Sequence, residues 1–405
     1  MTNALVASLT RIAGPALVER DSRGMPRVVP DSEEMVAELC RAATAAGWRV
    51  RIEGRTSWLP GDAPAEFAIA TRGLDRVVSV SGADLVASVQ AGATLDRVRR
   101  ELAAHGLWLA LDPPGHPERT IGSIFATGTT GALRQGYGPA RDHVLGCTVV
   151  AGDGRVIEAG GRVVKNVAGY DLTRLQVGAF GAFGVITSLH LRLRALPAAD
   201  VTLLARGERD RLTHAARGLM AAAASLASLE LFSPALAADP EWTLAARCMG
   251  TAEAAGPEVA RLMEMTEPDW ERLDQDQSHA FWNQAARGPL AAPVSLRLGA
   301  LLDGVDDLLD LLYERLGEGL VSAGAGTGSI RWSGDATVEQ LRGVRLVAAE
   351  REIPLTLERA PYDLRQAVGH FGAYREGVGQ LVTRLRETFD PKSILAVAVE
   401  GHDGR

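Results

Sequence analysis

Three glycines at three-residue spacing, Gly178, Gly181 and Gly184, close the stretch GGRVVKNVAGYDLTRLQVGAFGAFGVIT (160–187). They lead directly into Val185-Ile186-Thr187, a β-branched, strand-like end. Glycine placed this way marks backbone that turns tightly or approaches a ligand closely. The spacing is not G-x-G-x-x-G and no helix follows, so a Rossmann-type nucleotide crossover is excluded here. The chain has 44 glycines, concentrated between 54 and 184, which makes its first half the region of close backbone approach.

A chain of 405 residues is too long for one ordinary core, and two or three domains are expected. Residues 27–29 read as a strand. Asp31, with Glu34 three residues on, reads as a helix N-cap. That helix continues through Met35, Val36, Leu39 and Ala43 and ends at Gly47. A strand at 49–52 completes a strand–helix–strand unit, whose two strands are expected to be parallel. A second α+β lobe begins near 77, with strands at 77–80 and 85–90. Thr94 caps a helix through Val98 and Leu102 that Gly106 closes. Asp153-Gly154 is a hairpin turn, and the strand 185–193 ends the lobe.

Pro197 marks a boundary. Beyond it, strands at 201–205, 229–232, 242–248, 294–298, 329–332 and 354–357 alternate with helices such as 208–224. This mixture predicts ferredoxin-like units sharing a sheet, with a weak duplication. Val378, Leu381, Val382, Leu385 and Phe389 make 373–390 an amphipathic helix, stopped by Asp390-Pro391. The expected fold is α+β. A two-lobed domain spans 1–195, with lobes at about 26–76 and 77–195. A mixed α/β cap with ferredoxin-like elements follows over 196–372, and a C-terminal helix and tail, 373–405, return toward the first domain.

Lys+Arg number 43 against 50 Asp+Glu, a net charge of -7 with no long basic run, so nucleic acid is not an expected partner. Cys40, Cys147 and Cys248 are far apart and lack C-x-x-C spacing; buried structural thiols are the simplest reading, with no metal or iron–sulfur site in the chain itself. No apolar run approaches a membrane span and no signal pattern opens the chain, so a cytoplasmic location is expected.

Three constellations could carry chemistry. Gly54-Arg55-Thr56-Ser57 follows a strand directly, and is either an ordinary turn or a nest of backbone N–H groups for an anion, with hydroxyl donors added. The nucleoside-triphosphatase pattern G-x-x-x-x-G-K-[ST] is missing. Asp112-Pro113-Pro114 precedes Thr120-Ile121-Gly122-Ser123, with Ala126-Thr127 just beyond. These small residues open either a tightly packed core helix or a helix N-terminus that faces phosphate. In the glycine stretch, Tyr170 and Asp171 read as a polar network beneath a sheet, whereas Lys165 and Asn166 could approach a flat ring. Taken in order, these pieces describe a large phosphate-bearing cofactor held by backbone amides, for which FAD is the best candidate.

Residues from about 26 to 195 resemble the FAD-binding domain of the vanillyl-alcohol oxidase/PCMH flavoprotein family. The resemblance rests on Thr56-Ser57, Ala91-Gly92-Ala93, Asp112-Pro113, Thr120-Ile121-Gly122, Tyr137-Gly138 with Arg141-Asp142, and Gly181 to Thr187. VVKNVAGYDLTRL followed by the three-glycine turn is similar, within that family, to the FAD-binding E subunits of bacterial glycolate oxidases. AGAGTGSIRW (323–332) and Phe389-Asp390-Pro391 extend the resemblance weakly. It implies that Gly54, Arg55, Thr56 and Ser57 bind the FAD pyrophosphate. Pro113, Thr120, Ile121, Gly122, Ser123, Ala126 and Thr127 would hold pyrophosphate and the isoalloxazine side. Lys165 and Asn166 would lie at the ring edge, and Gly184, Val185 and Ile186 at the adenine–ribose end.

Some family features are missing. Glu53 and Arg55 occupy a loop that is usually glycine-rich, and a carboxylate there must point away or pair with Arg55. No His stands in the loop, so FAD is expected to bind non-covalently. The G-D-G-N-x-H metal and substrate motif is absent, as is the terminal N-P-G. His116, His143 and His370 lack ligand spacing and read as structural or surface residues. The resemblance implies a flavoprotein component that oxidises a small 2-hydroxy acid, glycolate or D-lactate. It would act in a hetero-oligomer with a catalytic flavoprotein subunit and an iron–sulfur subunit, and those partners could place it at the periphery of the inner membrane. Arg297 and Arg331, on cap strands, are candidates for the substrate carboxylate. Two alternatives stay open: a flavin-bearing assembly or electron-transfer subunit without its own substrate site, and a scaffold in which Glu53 has abolished flavin binding.

Overall fold

The computed structural model describes residues 2–162, 170–222, 225–264 and 268–396. Four short strands build the first lobe: β1 (Val18–Arg20), β2 (Pro26–Val28), β3 (Val50–Glu53) and β4 (Phe67–Ala70), in the order β1-β2-β4-β3. β2 and β3 do run parallel, but each pairs with β4, which inserts between them. The crossover helix Glu33–Ala46 is capped by Ser32 rather than Asp31: the Ser32 hydroxyl accepts from the Met35 N–H, so the shorter side chain one residue on makes the bond. Gly47, at φ 68°, ends the helix in the left-handed conformation.

An N-terminal helix, Thr2–Ala13, buries Leu5, Leu9 and Ala13 in the same core. The C-terminal tail joins it as well. The Val50 N–H donates to the Ile394 carbonyl at 2.7 Å, and the Ala396 N–H donates to Val50 at 2.8 Å. Asp390 fixes this return by accepting from the Ile394 and Leu395 N–H groups. The helix before it, Val378–Phe389, is less embedded than its pattern implied. Phe389 is buried against Phe183, while Leu381 is 57% exposed.

The second lobe is an antiparallel sheet of β5 (Val77–Ser81), β6 (Val86–Gln90), β8 (Val144–Val150), β9 (Val156–Gly160) and β10 (Val185–Arg192), ordered β5-β6-β10-β8-β9. A small pair, β7 (Leu107–Trp108) with β11 (Arg194–Ala195), leads out of it. Helices Leu95–Ala103, capped by Thr94, and Ile121–Thr127, capped by Thr120, cover one face.

The cap is a single sheet of eight strands: β12 (Ala199–Gly207), β13 (Ser228–Phe232), β14 (Trp242–Gly250), β15 (Glu271–Leu273), β16 (Val294–Gly299), β17 (Leu320–Gly324), β18 (Ser329–Gly334) and β19 (Leu355–Arg359). Their order is β15-β12-β14-β13-β17-β18-β16-β19. Each half reads strand–helix–strand–strand–helix–strand with strand order 4-1-3-2, the ferredoxin-like arrangement. The halves join where the second strand of each, β13 and β17, pair antiparallel. The duplication is therefore a structural fact, although the two halves share no obvious sequence pattern.

Side chains alternate across these strands. Leu229, Leu231, Leu244, Leu296, Ile330, Trp332 and Leu357 face the cap helices and form the main core. Their neighbours Glu230, Arg247, Arg297, Arg331 and Glu358 take the other face. Trp332 sits at the centre of the core, fully buried, with its indole N–H on the Gly317 carbonyl at 3.2 Å. Trp332→Ala should destabilise the protein by about 3–5 kcal/mol, read as a lowered urea midpoint.

Candidate functional site

The loop after β3 is strained and open. Thr56 adopts φ 51°, a left-handed conformation uncommon for a β-branched residue. Among the described residues, no carbonyl accepts from the N–H groups of Arg55, Thr56 or Ser57. Three consecutive free N–H groups in such a turn form an anion nest. Gly54 is required beneath it, because a Cβ there would stand 2.4 Å from the Thr120 hydroxyl of the second lobe.

This loop forms one wall of a cleft of about 950 Å3, counting its mouth. Gly54, Thr56 and Ser57 line it from the first lobe, and Gly122, Ser123, Ala126 and Thr127 from the second. Gly184 and Ile186 close the far end, and Arg365 and His370 reach in from the cap. The cleft thus gathers most of the loop, helix and glycine-turn residues singled out in the sequence.

The remaining candidates are distributed differently. Thr120 caps its helix behind Gly54 and is fully buried. Ile121 and Val185 belong to hydrophobic cores. Arg55 is exposed and Pro113 lines a different cleft. Lys165 and Asn166 lie outside the described residues.

One open alternative is decided and one expectation needs correction. The N–H groups of Ile121, Gly122 and Ser123 are already spent, on the carbonyls of Ala93 and Ala91 and on the Thr120 hydroxyl. Helix Ile121–Thr127 therefore offers the cleft a small-residue face instead of a free N-terminus. Tyr170 and Asp171 are not beneath a sheet: Tyr170 is 95% exposed, and exposed Asp171 caps the short helix Leu172–Gln176. The apolar residues nearby turn inward on that helix and leave its approach in solvent.

Glu53 points away from the nest. Its carboxylate accepts from Arg51 Nε at 2.5 Å and Arg27 Nε at 2.9 Å, while Arg51 also reaches Asp21. Arg55 takes no part. The acid is neutralised below the loop, so it does not repel a phosphate above it.

The cap is clamped to the loop by Asp62, which accepts from the Tyr362 N–H at 2.8 Å and pairs with the Arg365 guanidinium. His370 is buried against Phe180, with ring centroids 4.4 Å apart, and its Nδ1 lies 2.7 Å from the Leu357 carbonyl. Burial pushes this imidazole down to about 4, so it is neutral at pH 7.

Arg331 and Arg297 converge on one carboxylate. Glu358 accepts from Arg331 Nε at 2.7 Å and from Arg297 Nε at 2.8 Å, and Arg331 Nη2 also donates to the Thr130 carbonyl of the first domain at 3.0 Å. Burial opposes ionisation of Glu358, yet the two guanidinium groups prevail and hold it down at about 2. Sequence reasoning named the two arginines and missed the acid between them.

It also missed Arg119, which is 1% exposed. Its guanidinium donates to Thr127, Thr129 and the Pro114 carbonyl and stacks 4.9 Å over Trp58. Burial lowers it to about 9, which leaves it charged at neutral pH. Trp58 lines the cleft, and its indole N–H has no partner among the described residues.

The family described as FAD binding domain matches residues 26–160. Glycolate oxidase subunit GlcE of Escherichia coli is 37% identical over 128 residues, 31% of this chain and 37% of that protein. Glycolate oxidase subunit GlcD of Bacillus subtilis is 34% identical over 179 residues, 43% of this chain and 38% of its own length. The matches to these two relatives thus span little more than a third of their lengths. An uncharacterized FAD-linked oxidoreductase of Mycobacterium tuberculosis is 27% identical over 90% of this chain and 88% of that protein. Among solved structures, 4-ethylphenol oxidase from Gulosibacter chungangensis superposes with a TM-score of 0.74 at 13% identity, covering 98% of this chain and 97% of that one. The fold is that of a PCMH-type FAD-binding domain with its cap, and the chain carries an FAD-binding domain.

The free N–H groups of 55–57, the Ser57 hydroxyl and the glycine-lined walls fit a pyrophosphate and a flat ring, while the Thr56 hydroxyl donates to the Arg55 carbonyl at 2.8 Å. Among the described residues, no cluster of His, Cys, Asp or Glu could hold a metal ion, and no helix is long and apolar enough to cross a membrane.

Glu358 should dominate acid stability. A carboxyl held below its unfolded value contributes stability that is present above about pH 4.5 and lost as pH falls toward 2. Glu358→Gln should lower the melting temperature at pH 7 and flatten its fall between pH 4.5 and 2, as read by calorimetry across that range.

Proposed function

We propose that this chain is an FAD-dependent oxidoreductase subunit acting on a small 2-hydroxy acid of the glycolate or D-lactate type. In this reading electrons pass to an iron–sulfur partner within a hetero-oligomer that includes a further flavoprotein subunit. The observation that carries it is the nest of free N–H groups at 55–57, inside the region that matches an FAD binding domain and opening on a cleft closed by the cap. The names of the similar proteins, glycolate oxidase subunits and a D-lactate dehydrogenase, supply the substrate class.

Bound flavin supplies the hydride acceptor. The protein's own contributions are separable. Arg55, Thr56 and Ser57 hold pyrophosphate oxygens through backbone N–H groups, without a covalent link. Gly122, Ser123, Ala126 and Thr127 leave room for the isoalloxazine, and Gly184, Val185 and Ile186 provide backbone at the adenine–ribose end. Arg365, anchored by Asp62, and neutral His370 keep the cap against the cleft and exclude water.

The second reading, a flavin-bearing assembly or electron-transfer subunit, draws support from Glu358. That carboxylate already occupies both arginines that would otherwise greet a substrate. Scaffold without flavin has less support, since Glu53 is paired away from the nest.

The deciding experiment is anaerobic mixing of the FAD-loaded protein, alone and with its partner subunits, with glycolate and with D-lactate. Bleaching of the flavin band supports the first reading; stable flavin absorbance under every combination rejects it. The cradle is tested separately. Gly54→Ala forces a Cβ against Thr120, and should weaken FAD retention about tenfold or more, measured as FAD released per chain on heating.

A further inference from the structure

A second cavity, of about 510 Å3 counting the space open to solvent, lies between the polar face of the cap sheet and the FAD domain. It shares no lining residue with the phosphate-loop cleft. Glu230, Ser322, Ser329 and Arg331 form its cap wall, and Asp112 and Thr130 its other wall. Glu230 is the anomaly. It is 7% exposed, and no hydrogen bond within the described residues satisfies its carboxyl group. A buried carboxyl without a partner is expensive unless something outside the chain completes it. Arg331 stands beside it with Nε and Nη2 engaged, while Nη1 has no partner among the described residues.

The cavity has its own approach. Asp112, Trp282 and Ala286 line both this cavity and an outer cleft of about 1290 Å3. Arg99, Arg247 and Arg287 line that outer cleft. Arg247 is paired with Asp200, whereas among the described residues the Arg99 guanidinium has only the Leu111 carbonyl as acceptor. A cleft lined by cations draws anions inward.

We propose that this inner cavity is a binding chamber for a small 2-hydroxy carboxylate, which enters past Trp282 and Ala286 and rests its carboxylate on Arg331 with an oxygen on the Glu230 carboxyl. The inference rests on the 2-hydroxy-acid reading above and adds the place and the groups of recognition. Three charged or titratable groups bear on the Glu230 carboxyl: Asp112 across the cavity, Arg331 on β18, and through Asp112 the guanidinium of Arg247 on β14. Burial and then Asp112 push Glu230 up to about 8, against the pull of Arg331. At neutral pH the carboxyl is therefore protonated, and it donates an O–H to an anion instead of repelling it. Asp112, raised by burial to about 6, has its charge tied down by Arg247 and by the Leu133 N–H. A side chain that is protonated in the free chamber and charged above pH 8 makes affinity for an anion fall with rising pH.

The test is calorimetric titration of the FAD-loaded protein with glycolate and with D-lactate from pH 6.5 to 9.5, alongside Glu230→Gln and Ala286→Trp. The wild-type Kd should rise about fivefold between pH 8 and 9 and approach tenfold per pH unit above that. In Glu230→Gln the Kd should no longer depend on pH over that range. Ala286→Trp narrows the neck and should slow association with unchanged FAD content. Absence of binding at millimolar ligand overturns the chamber, as does a pH dependence that survives in Glu230→Gln. Flavin absorbance recorded anaerobically in the same samples separates the two readings. Binding with these signatures but no bleaching, in the chain alone and with its partner subunits added, upholds the chamber and rejects the oxidoreductase reading. Bleaching with a Kd indifferent to both substitutions rejects the chamber and leaves the reaction standing.

Discussion

The junction of the two halves rests on the Arg331 guanidinium. It holds Glu358 on its own sheet and the Thr130 carbonyl on the FAD domain, while Arg297 completes the charge balance on the other side of the same carboxylate. A buried ion pair of this kind contributes modest net stability, because desolvation offsets most of the attraction. Removing one member is another matter, since the others are then left charged and buried. Such a cluster fixes position more than it adds stability. Here it fixes the polar face of the cap sheet over the segment that connects Asp112 to Thr130. The clamp of Asp62 on Arg365 and the Tyr362 N–H does the same at the loop. Both cavities depend on this docking, because each draws walls from both domains.

Strand alternation makes the arrangement possible. Leu229, Leu296, Ile330 and Leu357 commit one face of the cap sheet to its helices, and each neighbour in sequence must then face the FAD domain. Glu230, Arg297, Arg331 and Glu358 are charged residues inside strands that are otherwise apolar. A solvated sheet face would explain them cheaply, but the second domain covers this face and turns them into buried groups. Their unusual acidities follow from that burial, in opposite directions. Glu358, between two arginines, stays ionised, and Glu230, facing another acid, keeps its proton.

Much of this was legible in the sequence. The helix cap at Thr94, the turn at Asp153-Gly154 and the strand after Gly184 follow from local rules and stand as read. The nest after β3 was visible only as one of two readings of Gly-x-Thr-Ser, an ordinary turn being the other, and the free N–H groups at 55–57 decide between them. What could not be read involves long-range choices. β4 inserts between β2 and β3 because Phe67–Ala70 returns to that gap, and no local signal specifies a partner. Ser32 takes the cap from Asp31 by one residue. Helix Ile121–Thr127 could be read as a packed core helix or as an open N-terminus, and only the approach of Ala91 and Ala93 shows that its donors are spent. Glu358 and Arg119 were invisible for the same reason: each is defined by partners far away in sequence, such as Arg297 for Glu358 and Trp58 for Arg119. Tyr170 read as buried because its neighbours are apolar, yet those neighbours pack on the other side of a short helix.

The charge balance around the two cavities sets the sign of what they hold. Arg119 is buried among neutral oxygens and an indole ring, with no carboxylate bonded to it. Glu358 can neutralise only one of Arg297 and Arg331. Glu230 is uncharged at neutral pH, and Glu53 is already matched by Arg27 and Arg51. Asp112, ionised at neutral pH, offsets one of these cations, and a positive charge is still in excess between the phosphate loop and the cap sheet, in a region where water is scarce and charge is poorly screened. A neutral ligand would leave that excess in place and would also have to displace what water relieves it. An anion removes it. A pyrophosphate at the loop and a carboxylate beneath Arg331 are both anions, and each would lie where the chain has left a cation or a donor without its complement.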